Sequence, residues 1–509
     1  MKPTTLVFLV CLPWLLLAFS TQVSGSSYLD KFPSISITHP DDPPRLEDLP
    51  DDLVVLYYNQ TLDHFNYKPE SYANFTQKYI LNPKYWGGPN TSSPIIAYLG
   101  AESELLINPD SFFVEMASCF NALLVYIEHR YYGVSIPNAT ELKDDNLSGY
   151  FNSAQALADY AEVLLHVRRQ FDAHKSPILV TGGSYGGMLA AWFRLKYPHI
   201  AFGALASSAP LLYFDNITPE NGYYSIITKV FKDTSESCYE TIRDSWHEMY
   251  ELYSTSDNGL EELNKIFRMC KVNGFEVLSN YLARIYTHAA QYNYRVDKPD
   301  RVEAICGGID GAPNGTGILD RISAGMVAYL GNKTCYNTTD YYGIALSSLG
   351  WSWQTCTEMV MPIGRGPNET MFPPAPFNLT KFSEGCQRIY NVTPRPHWVT
   401  TYYGGHDIET VLKRFGSNII FSNGLRDPYS IGGVLKNISD SLLAVTTDEG
   451  SHCIDIGTVS DKDPHWLFNQ RQRIVKIIQG WFTTYYADHN LTSPIEGPCH
   501  RYQGMASAI

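Results

Sequence analysis

One stretch of sequence decides how this chain is interpreted, Thr181-Gly182-Gly183-Ser184-Tyr185-Gly186-Gly187-Met188, in which Gly182 to Gly186 fit the pattern G-x-S-x-G. An apolar run, Pro177 to Val180, precedes it, and a helix-compatible run, Met188 to Leu195, follows it. A strand, a tight glycine turn and a helix are the context in which this pattern forms a nucleophile elbow. The glycines permit a turn that larger side chains would block, so we expect Ser184 Oγ to stand clear at the end of a strand. An ordinary Gly/Ser-rich loop is the alternative, because the bare pattern also occurs by chance.

Length, composition and charge limit the class of protein. The 509 residues are enough for one large domain with an insertion or for two domains. The net charge of −14 argues against a nucleic-acid partner, since such binding needs a basic face. There is no C-x-x-C pair, so a zinc ribbon or thioredoxin-like chemistry is unsupported, and the sequence suggests neither a metal nor a cofactor.

The N-terminal segment and the glycosylation acceptors indicate the compartment. Residues 1–25 combine a basic start, a limited apolar core and small residues, which predicts a signal peptide rather than a signal anchor. Residues 26–51 are rich in Pro and Asp and are interpreted as an irregular leader or propeptide. No later run is long and apolar enough for a membrane anchor, so we expect a soluble protein of a lysosome, a vacuole or the cell exterior. Fourteen N-x-[ST] triplets predict a glycoprotein: Asn59, Asn74, Asn90, Asn138, Asn146, Asn216, Asn314, Asn332, Asn337, Asn368, Asn378, Asn391, Asn437 and Asn490.

The cysteines suggest a disulfide-bonded middle segment. Removal of Cys11 with the signal peptide leaves nine: Cys119, Cys238, Cys270, Cys306, Cys335, Cys356, Cys386, Cys453 and Cys499. In an oxidising compartment most of them should pair. Because nine is odd, at least one thiol is free or bonded to another chain.

Strand-like and helical segments alternate in the first part of the chain. Two runs separated by turn residues, 54–58 and 75–81, suggest an antiparallel start. Continuous apolar runs at 94–99 and 122–127 suit strands buried on both faces of a sheet. Helical patterns at Phe112 to Phe120 and Ser153 to Phe171 complete an alternation that predicts a mostly parallel sheet flanked by helices.

The pattern changes near Leu211, where amphipathic helical stretches such as Cys238 to Tyr253 replace the strand runs. Strand-like runs return at 418–421 and 442–445, and a closing helix is expected over 464–485. We therefore predict an α/β domain whose first part is 52–212 and whose second part is 396–509. Residues 213–395 form a helical, disulfide-bonded cap between the two parts.

A serine hydroxyl is a poor nucleophile unless a base takes its proton. In α/β-hydrolases the serine is followed in the chain by an acid and then by a histidine, each beyond a strand end. Asp427 and His452 follow the two late strands in this order, so we expect His452 to be the general base and Asp427 to orient its ring. His397, His406 and His465 are competing histidines, and Asp427-Pro428 on its own is also a plain turn signal.

The oxyanion of a tetrahedral intermediate needs hydrogen-bond donors already in position. In this fold one donor is the backbone N–H that follows the nucleophile, here Tyr185. The second comes from the loop after an earlier strand, and we expect it to be Gly100 or Ala101.

The sequence resembles the family of serine peptidases that includes lysosomal Pro-X carboxypeptidase and dipeptidyl peptidase II. The resemblance covers nearly the whole mature chain and implies an α/β-hydrolase fold with a helical domain over the active site. It also implies cleavage next to proline in acidic compartments, with Ser184, Asp427 and His452 on the triad positions. The segments that carry it are 59–65, Glu128 to Gly133, Gln155 to Tyr160, Gly182 to Met188, Gln354 to Glu358, Phe421 to Gly424, Asp427-Pro428 and Glu449 to His452.

The Pro-X carboxypeptidase branch resembles this chain more closely, over Cys356 to Pro362 and Pro394 to Thr401. There the resemblance implies a proline pocket carried by Met188, Met361 and Tyr429. The family often has tryptophan at the position of Tyr429, and both methionines could equally be ordinary core residues. The disulfides implied by the resemblance are Cys238–Cys306, Cys270–Cys335 and Cys356–Cys386.

The predicted function is a serine exopeptidase that removes a C-terminal residue following proline, acting on peptides with a penultimate proline. A dipeptidyl aminopeptidase is the main alternative function. A non-catalytic binding glycoprotein and a lipase or esterase are weaker alternatives. The sequence does not decide whether the protein forms a homodimer. A histidine with its reference pKa of about 6.5 is mostly protonated at pH 5 and cannot then act as a base, so activity at acidic pH needs an explanation. Either its pKa falls in the enzyme–substrate complex, or the substrate's C-terminal carboxylate binds better at low pH.

Overall fold

An eight-stranded sheet forms the centre of the protein. The computed structural model describes residues 53–137, 148–295, 298–338, 346–366, 370–495, 499 and 501. In chain order the strands are β1 (Val54–Thr61), β2 (Asn74–Asn82), β3 (Ile95–Leu99), β4 (Leu123–Ile127), β5 (Ile178–Gly183), β6 (Gly203–Ser207), β7 (Ile419–Gly424) and β8 (Leu442–Thr447). Across the sheet they are ordered β1-β2-β4-β3-β5-β6-β7-β8.

The sheet has an antiparallel edge and a parallel body. β1 pairs antiparallel with β2, and β2 pairs antiparallel with β4. All other neighbours are parallel, from β4 with β3 through to β7 with β8. Consequently β5, β7 and β8 end at the same edge, where the loops carrying Ser184, Asp427 and His452 begin.

Helices cover both faces of the sheet. One buried cluster contains residues of α2 (Ser153–Gln170) and α3 (Tyr185–Lys196). The cluster on the other face contains residues of α1 (Phe112–Phe120) and α14 (His465–Asp488). The parallel strands are apolar on both sides because helices cover both sides, as continuous apolar runs predict.

A helical insertion separates β6 from β7. Its helices are α4 (Gly222–Thr234), α5 (Glu236–Thr255), α6 (Gly259–Ile266), α7 (Phe275–Gln291), α8 (Arg301–Asp310), α9 (Ile318–Leu330), α10 (Leu346–Thr357), α11 (Leu379–Tyr390), α12 (Trp398–Tyr403) and α13 (Ile408–Phe415). We refer to the segment from α4 to α11 as the cap. The described part of the cap contains isolated bridges but no strand.

Four disulfides join eight of the cysteines. Cys238–Cys306, Cys270–Cys335 and Cys356–Cys386 lie within the cap, and they are the pairs that the family resemblance implies. Cys119–Cys499, which the sequence left open, ties α1 to the C-terminal segment. Cys453 is the odd thiol, and it is free and buried.

The expected fold class is confirmed: an α/β-hydrolase sheet interrupted by a helical cap between the nucleophile half and the Asp/His half. The limits 52–212, 213–395 and 396–509 remain predictions. So do the signal peptide at 1–25 and the leader at 26–51, which lie outside the described residues. β6 was missed by the sequence analysis, because Gly203-Ala204-Leu205-Ala206-Ser207 has little of the β-branched or aromatic character that marks strands.

Candidate active site

Ser184 occupies a strained turn between β5 and α3. Its backbone has φ 58° and ψ −123°, a conformation that costs energy and is found mainly where function requires it. The turn is held by the Ser184 N–H, which donates to Ser207 O at 2.9 Å. A Cβ on Gly182 would lie 2.2 Å from Gly186 O, so only glycine fits at this crossing. The glycines of the motif therefore have the steric role that the pattern predicts.

The loops after β7 and β8 are joined by their backbones. Leu425 N donates to Thr447 O at 2.8 Å, and Arg426 N donates to Gly450 O at 3.0 Å. Gly424 lies so close to Gly450 that an added Cβ would be 2.1 Å from the Gly450 oxygen. These contacts place Asp427 beside His452.

Asp427 and His452 form a buried pair. His452 Nδ1 lies 2.6 Å from Asp427 Oδ2, and both side chains are excluded from solvent. The other Asp427 oxygen accepts the Tyr429 N–H at 2.9 Å, which fixes the carboxylate. Burial alone would lower the pKa of His452, but the charge of Asp427 and the hydrogen bond to it, with Cys453, hold the pKa well above its ordinary value. Before substrate binds, His452 is therefore readily protonated, and a fall in its pKa in the complex would have to overcome Asp427.

The two atoms that would exchange a proton are enclosed. Ser184 Oγ and His452 Nε2 are both buried and have no hydrogen-bond partner among the described residues. In enzymes without substrate, such contacts are often long and shorten only in the complex. The site thus holds an unengaged hydroxyl and an unengaged ring nitrogen at the same edge of the sheet.

The competing histidines lie elsewhere. His397 Nδ1 is 2.6 Å from Asp215 Oδ1, and His406 Nε2 is 3.2 Å from Asp215 Oδ2, with both rings largely exposed. His465 is exposed and begins α14. Of the four candidates, His452 is the one paired with Asp427.

One expected oxyanion donor is wrong. The Gly100 N–H donates to Ile127 O at 2.8 Å and is not available to a substrate. It continues the hydrogen bonding of β3 with β4 by one residue, which the sequence could not reveal. Ala101 is the next residue of this loop, and the other predicted donor, the Tyr185 N–H, lies in the first turn of α3, where backbone N–H groups lack intrahelical partners. Of the two loop residues expected from the sequence, this leaves Ala101 as the candidate donor beside Tyr185.

The three residues expected to form a proline pocket are all buried. Met188, Met361 and Tyr429 belong to one apolar cluster. Tyr429 lies next to the histidine, with ring centroids 5.5 Å apart, and it also packs against Tyr223 at 4.9 Å. Tyr429 therefore supplies apolar surface beside His452, while the pocket role of the two methionines stays a prediction.

The cap supplies contacts that the sequence analysis missed. At the end of α7, Gln291 O accepts the His452 N–H at 2.9 Å, and the Tyr292 ring lies 5.8 Å from the His452 ring. On α10, Gln354 Nε2 donates to Tyr185 OH at 2.9 Å. Gln354 stood within a segment of the family resemblance, but no sequence signal marked Gln291 or Tyr292, because their contacts span the two halves of the fold.

Glu102 was also missed as a site residue. It follows Ala101 at the end of β3, is 1% exposed, and has no hydrogen-bond partner among the described residues for either carboxylate oxygen. An acidic residue directly behind a buried strand was the signal that could have marked it.

Comparison with known proteins gives the family. The model of the family described as Serine carboxypeptidase S28 matches residues 60–474. The chain belongs to the serine carboxypeptidase S28 family. By this membership it is a serine carboxypeptidase, a peptide hydrolase.

Similar proteins match along most of their length. Lysosomal Pro-X carboxypeptidase of Mus musculus is 36% identical over 453 residues, which cover 85% of this chain and 90% of the relative. The Homo sapiens protein of the same name is 34% identical over 470 residues, covering 89% and 92%. Thymus-specific serine protease of Homo sapiens is 27% identical over 461 residues, covering 84% and 86%. Among the described residues no helix has the length and apolar character needed to span a membrane.

Proposed function

We propose that this protein is a Pro-X carboxypeptidase that removes a C-terminal residue following proline. The observation that carries the proposal is the buried pair of Asp427 and His452 at the sheet edge where Ser184 occupies its strained turn. The resemblance to Pro-X carboxypeptidases over more than four-fifths of the chain supports the substrate class.

In the proposed mechanism Ser184 Oγ attacks the carbonyl carbon of the penultimate proline. His452 Nε2 takes the hydroxyl proton and then gives it to the nitrogen of the departing C-terminal residue. Asp427 keeps the ring oriented and stabilises the imidazolium through its contact with Nδ1. Water then attacks the acyl-enzyme, with His452 again acting as base, and releases the shortened peptide.

The backbone N–H groups of Tyr185 and Ala101 are the proposed oxyanion donors. They cost no reorganisation during the reaction, because a helix start and a strand end hold them in place. The glycine at 186 lets α3 approach the loop after β3, since a Cβ there would lie 2.9 Å from Leu99 O. This close approach of the loop to the start of α3 supports the proposal that both donors serve one oxyanion.

Met188, Met361 and Tyr429 are the proposed proline pocket. A proline ring is compact and apolar, and methionine side chains adapt their shape to such a ligand. Tyrosine in place of the tryptophan that the family often has gives this pocket a different wall beside His452.

The names of the similar proteins and the predicted signal peptide support a lysosomal or secreted location. A mass measurement by light scattering would decide whether the protein is a homodimer.

The test compares the two ends of the substrate. We expect N-terminally blocked peptides ending in Pro-Phe to lose phenylalanine at about pH 5, and the same peptides with an amidated C-terminus to be cleaved poorly. Release of X-Pro dipeptides from reporters with a free N-terminus, without cleavage of the blocked peptides, would instead establish the dipeptidyl aminopeptidase alternative. Absence of hydrolysis and of fluorophosphonate labelling would point to a binding protein.

A further inference from the structure

Glu102 is a buried carboxyl group that the mechanism above does not use. Its oxygens are enclosed and lack a hydrogen-bond partner among the described residues. A buried carboxylate without partners is costly, so its presence beside a reaction site calls for a ligand that satisfies it. In contrast, the buried Glu358 of the cap accepts hydrogen bonds from Ser153 N at 2.8 Å and from Ser153 Oγ at 2.9 Å.

Glu102 belongs to the loop that borders the active site. It is the second residue after Gly100, and it directly follows Ala101, the proposed oxyanion donor. The loop packs against the first turn of α3, where a Cβ on Gly186 would lie 3.4 Å from the Ala101 Cβ. The carboxyl therefore projects from the segment that borders the nucleophile.

The groups that act electrostatically with Glu102 come from five parts of the structure. His452 is the charged group among them. The others are Tyr98 on β3, Tyr132 after β4, Tyr292 at the end of α7 and Tyr429 after β7. The Cys453 thiol acts on two of these tyrosines, Tyr98 and Tyr292. Burial raises the pKa of all four tyrosines, so each is neutral at the pH of the reaction.

These surroundings favour the protonated form of Glu102. Burial raises the pKa of its carboxyl to about 7, although its own amide N–H and His452 act in the opposite direction. Below that pH the side chain is an O–H donor that lacks an acceptor. A substrate's C-terminal carboxylate is an acceptor that remains ionised at pH 5, since its reference pKa is about 3.5.

We propose that Glu102 binds the C-terminal carboxylate of the substrate by donating a hydrogen bond from its protonated side chain. The inference rests on the proposed function, and it supplies the recognition of the substrate end that a carboxypeptidase needs. Hydrogen bonds to a charged acceptor are about twice as strong as neutral ones, and this one forms where water is excluded.

The pH dependence follows from the charge of each form. Below about pH 7 Glu102 is neutral and donates to the carboxylate. Above it Glu102 is ionised, so two carboxylates would face each other and binding weakens. Affinity for a free C-terminus is therefore present at acidic pH and is lost as the pH rises through the pKa of Glu102. This corresponds to the second explanation of acid operation, in which tighter binding of the C-terminal carboxylate at low pH offsets the protonation of His452.

The experiment measures binding without turnover. In the Ser184→Ala protein, calorimetry compares N-blocked Pro-Phe with its C-terminal amide at pH 5 and pH 8. We expect the free acid to bind at least about tenfold tighter than the amide at pH 5, a typical gain for a charged hydrogen bond, and this preference to disappear at pH 8. Adding Glu102→Ala should abolish the preference at pH 5.

Two further variants separate Glu102 from other causes. Glu102→Gln keeps an N–H donor that does not titrate, so the preference for the acid should persist at both pH values. If the pH dependence came from His452, it would remain in Glu102→Gln and overturn the inference. Glu358→Gln is the matched control, because burial raises the pKa of Glu358 to about 7 as well, and it should keep both the preference and its pH dependence.

The outcomes also distinguish this inference from the proposed function. Equal binding of acid and amide by Ser184→Ala at pH 5, or an unchanged preference in Glu102→Ala, overturns the role of Glu102. If wild-type enzyme meanwhile removes the residue after proline, the proposed function stands. Thermal melting of each variant checks that it is folded.

Discussion

At the level of single residues, one contact and one strained backbone define the proposed catalytic centre. The 2.6 Å contact between His452 Nδ1 and Asp427 Oδ2 fixes the ring, and the positive φ of Ser184 raises its hydroxyl at the end of β5. An ordinary loop needs neither feature for its packing. Both are explained if Ser184 is a nucleophile and His452 its base.

Replacement of His452 by alanine should lower kcat by on the order of a thousandfold or more, because the serine then has no proton acceptor. Steady-state kinetics with an N-blocked Pro-Phe peptide measures this. His397→Ala and His406→Ala are matched controls, since both histidines pair with Asp215 instead. A loss of activity in a control but not in His452→Ala would contradict the assignment.

Asp427→Asn should lower kcat by roughly ten-thousandfold while leaving the fold intact, as for the equivalent change in other triads. The amide can hydrogen bond to the ring but favours the wrong tautomer and cannot stabilise an imidazolium. Fluorophosphonate labelling rates provide a second readout, which should fall in parallel. Near-normal labelling in a folded Asp427→Asn protein would remove Asp427 from the mechanism.

At the scale of secondary-structure elements, two helices hold the loop that carries His452. The end of α7 accepts the His452 N–H through Gln291 O. On the other side, Arg471 of α14 donates to the carbonyl oxygens of Ile454, Asp455, Gly457 and Thr458. The histidine is thus positioned by the cap and by the closing helix together.

Arg471→Met should reduce kcat at least about tenfold with a smaller change in KM, because small displacements of a catalytic group are costly to the rate. Its melting temperature should also fall, since four backbone carbonyl oxygens, of which that of Asp455 is buried, lose their donor. Arg473→Met is the matched control on the same helix, as Arg473 is exposed. A kcat for Arg471→Met equal to that of the control would contradict the positioning role.

Most of the fold could be predicted from sequence because local patterns carried it. The helix expected over Phe112 to Phe120 is α1, and the apolar runs became buried strands with limits shifted by up to three residues. β6 escaped because it consists of glycine, alanine, leucine and serine and is made a strand by its neighbours, β5 and β7. Its identity as a strand is a tertiary property.

The site was predictable only where chain order and strand ends determine it. Ser184, Asp427 and His452 follow three strands of one sheet, so their sequence positions carried spatial information. The Gly100 N–H could not be judged, because its engagement by Ile127 O depends on the register of β3 with β4. Glu102 follows a buried strand in the sequence, but its burial and its missing hydrogen-bond partners are seen only in the structure.

At the scale of the whole molecule, the cap closes over the site. Ser184 is fully buried and His452 is 4% exposed, with residues of α7 and α10 in contact with the histidine loop and with Tyr185. A substrate must enter through an opening of this cover. We therefore expect short peptides to reach the site, and we do not expect internal cleavage of a large folded protein.

Stability should be greater at acidic than at neutral pH. Burial raises the pKa of Glu102 and Glu358 to about 7, so the folded state binds more protons than the unfolded state between about pH 5 and 7. The free energy of unfolding then falls with rising pH, by on the order of 1 kcal/mol per pH unit for each group. His129 acts oppositely below pH 6.5, because burial lowers its pKa to about 4, but the two carboxyls outnumber it, and the raised pKa of His452 acts with them as the pH rises above 6.5.

We therefore expect a higher melting temperature at pH 5 than at pH 7.5, measured by calorimetry. Glu358→Gln should reduce the difference between the two pH values, because it removes one of the titrating groups. A melting temperature that rises from pH 5 to 7.5 would show that these carboxyls are ionised in the folded protein.

Trapping of the acyl-enzyme identifies both the nucleophile and the peptide bond that is cleaved. An N-blocked peptide ending in Pro-Phe is mixed with the enzyme, the reaction is quenched in acid, and the protein is digested and analysed by mass spectrometry. We expect an adduct on Ser184 in which the proline carbonyl is esterified to the serine oxygen. The mass added to the protein should equal that of the blocked peptide minus the released phenylalanine. An adduct on another residue, or a Ser184 adduct that carries an N-terminal dipeptide from an unblocked peptide while the blocked peptide gives none, would contradict this expectation.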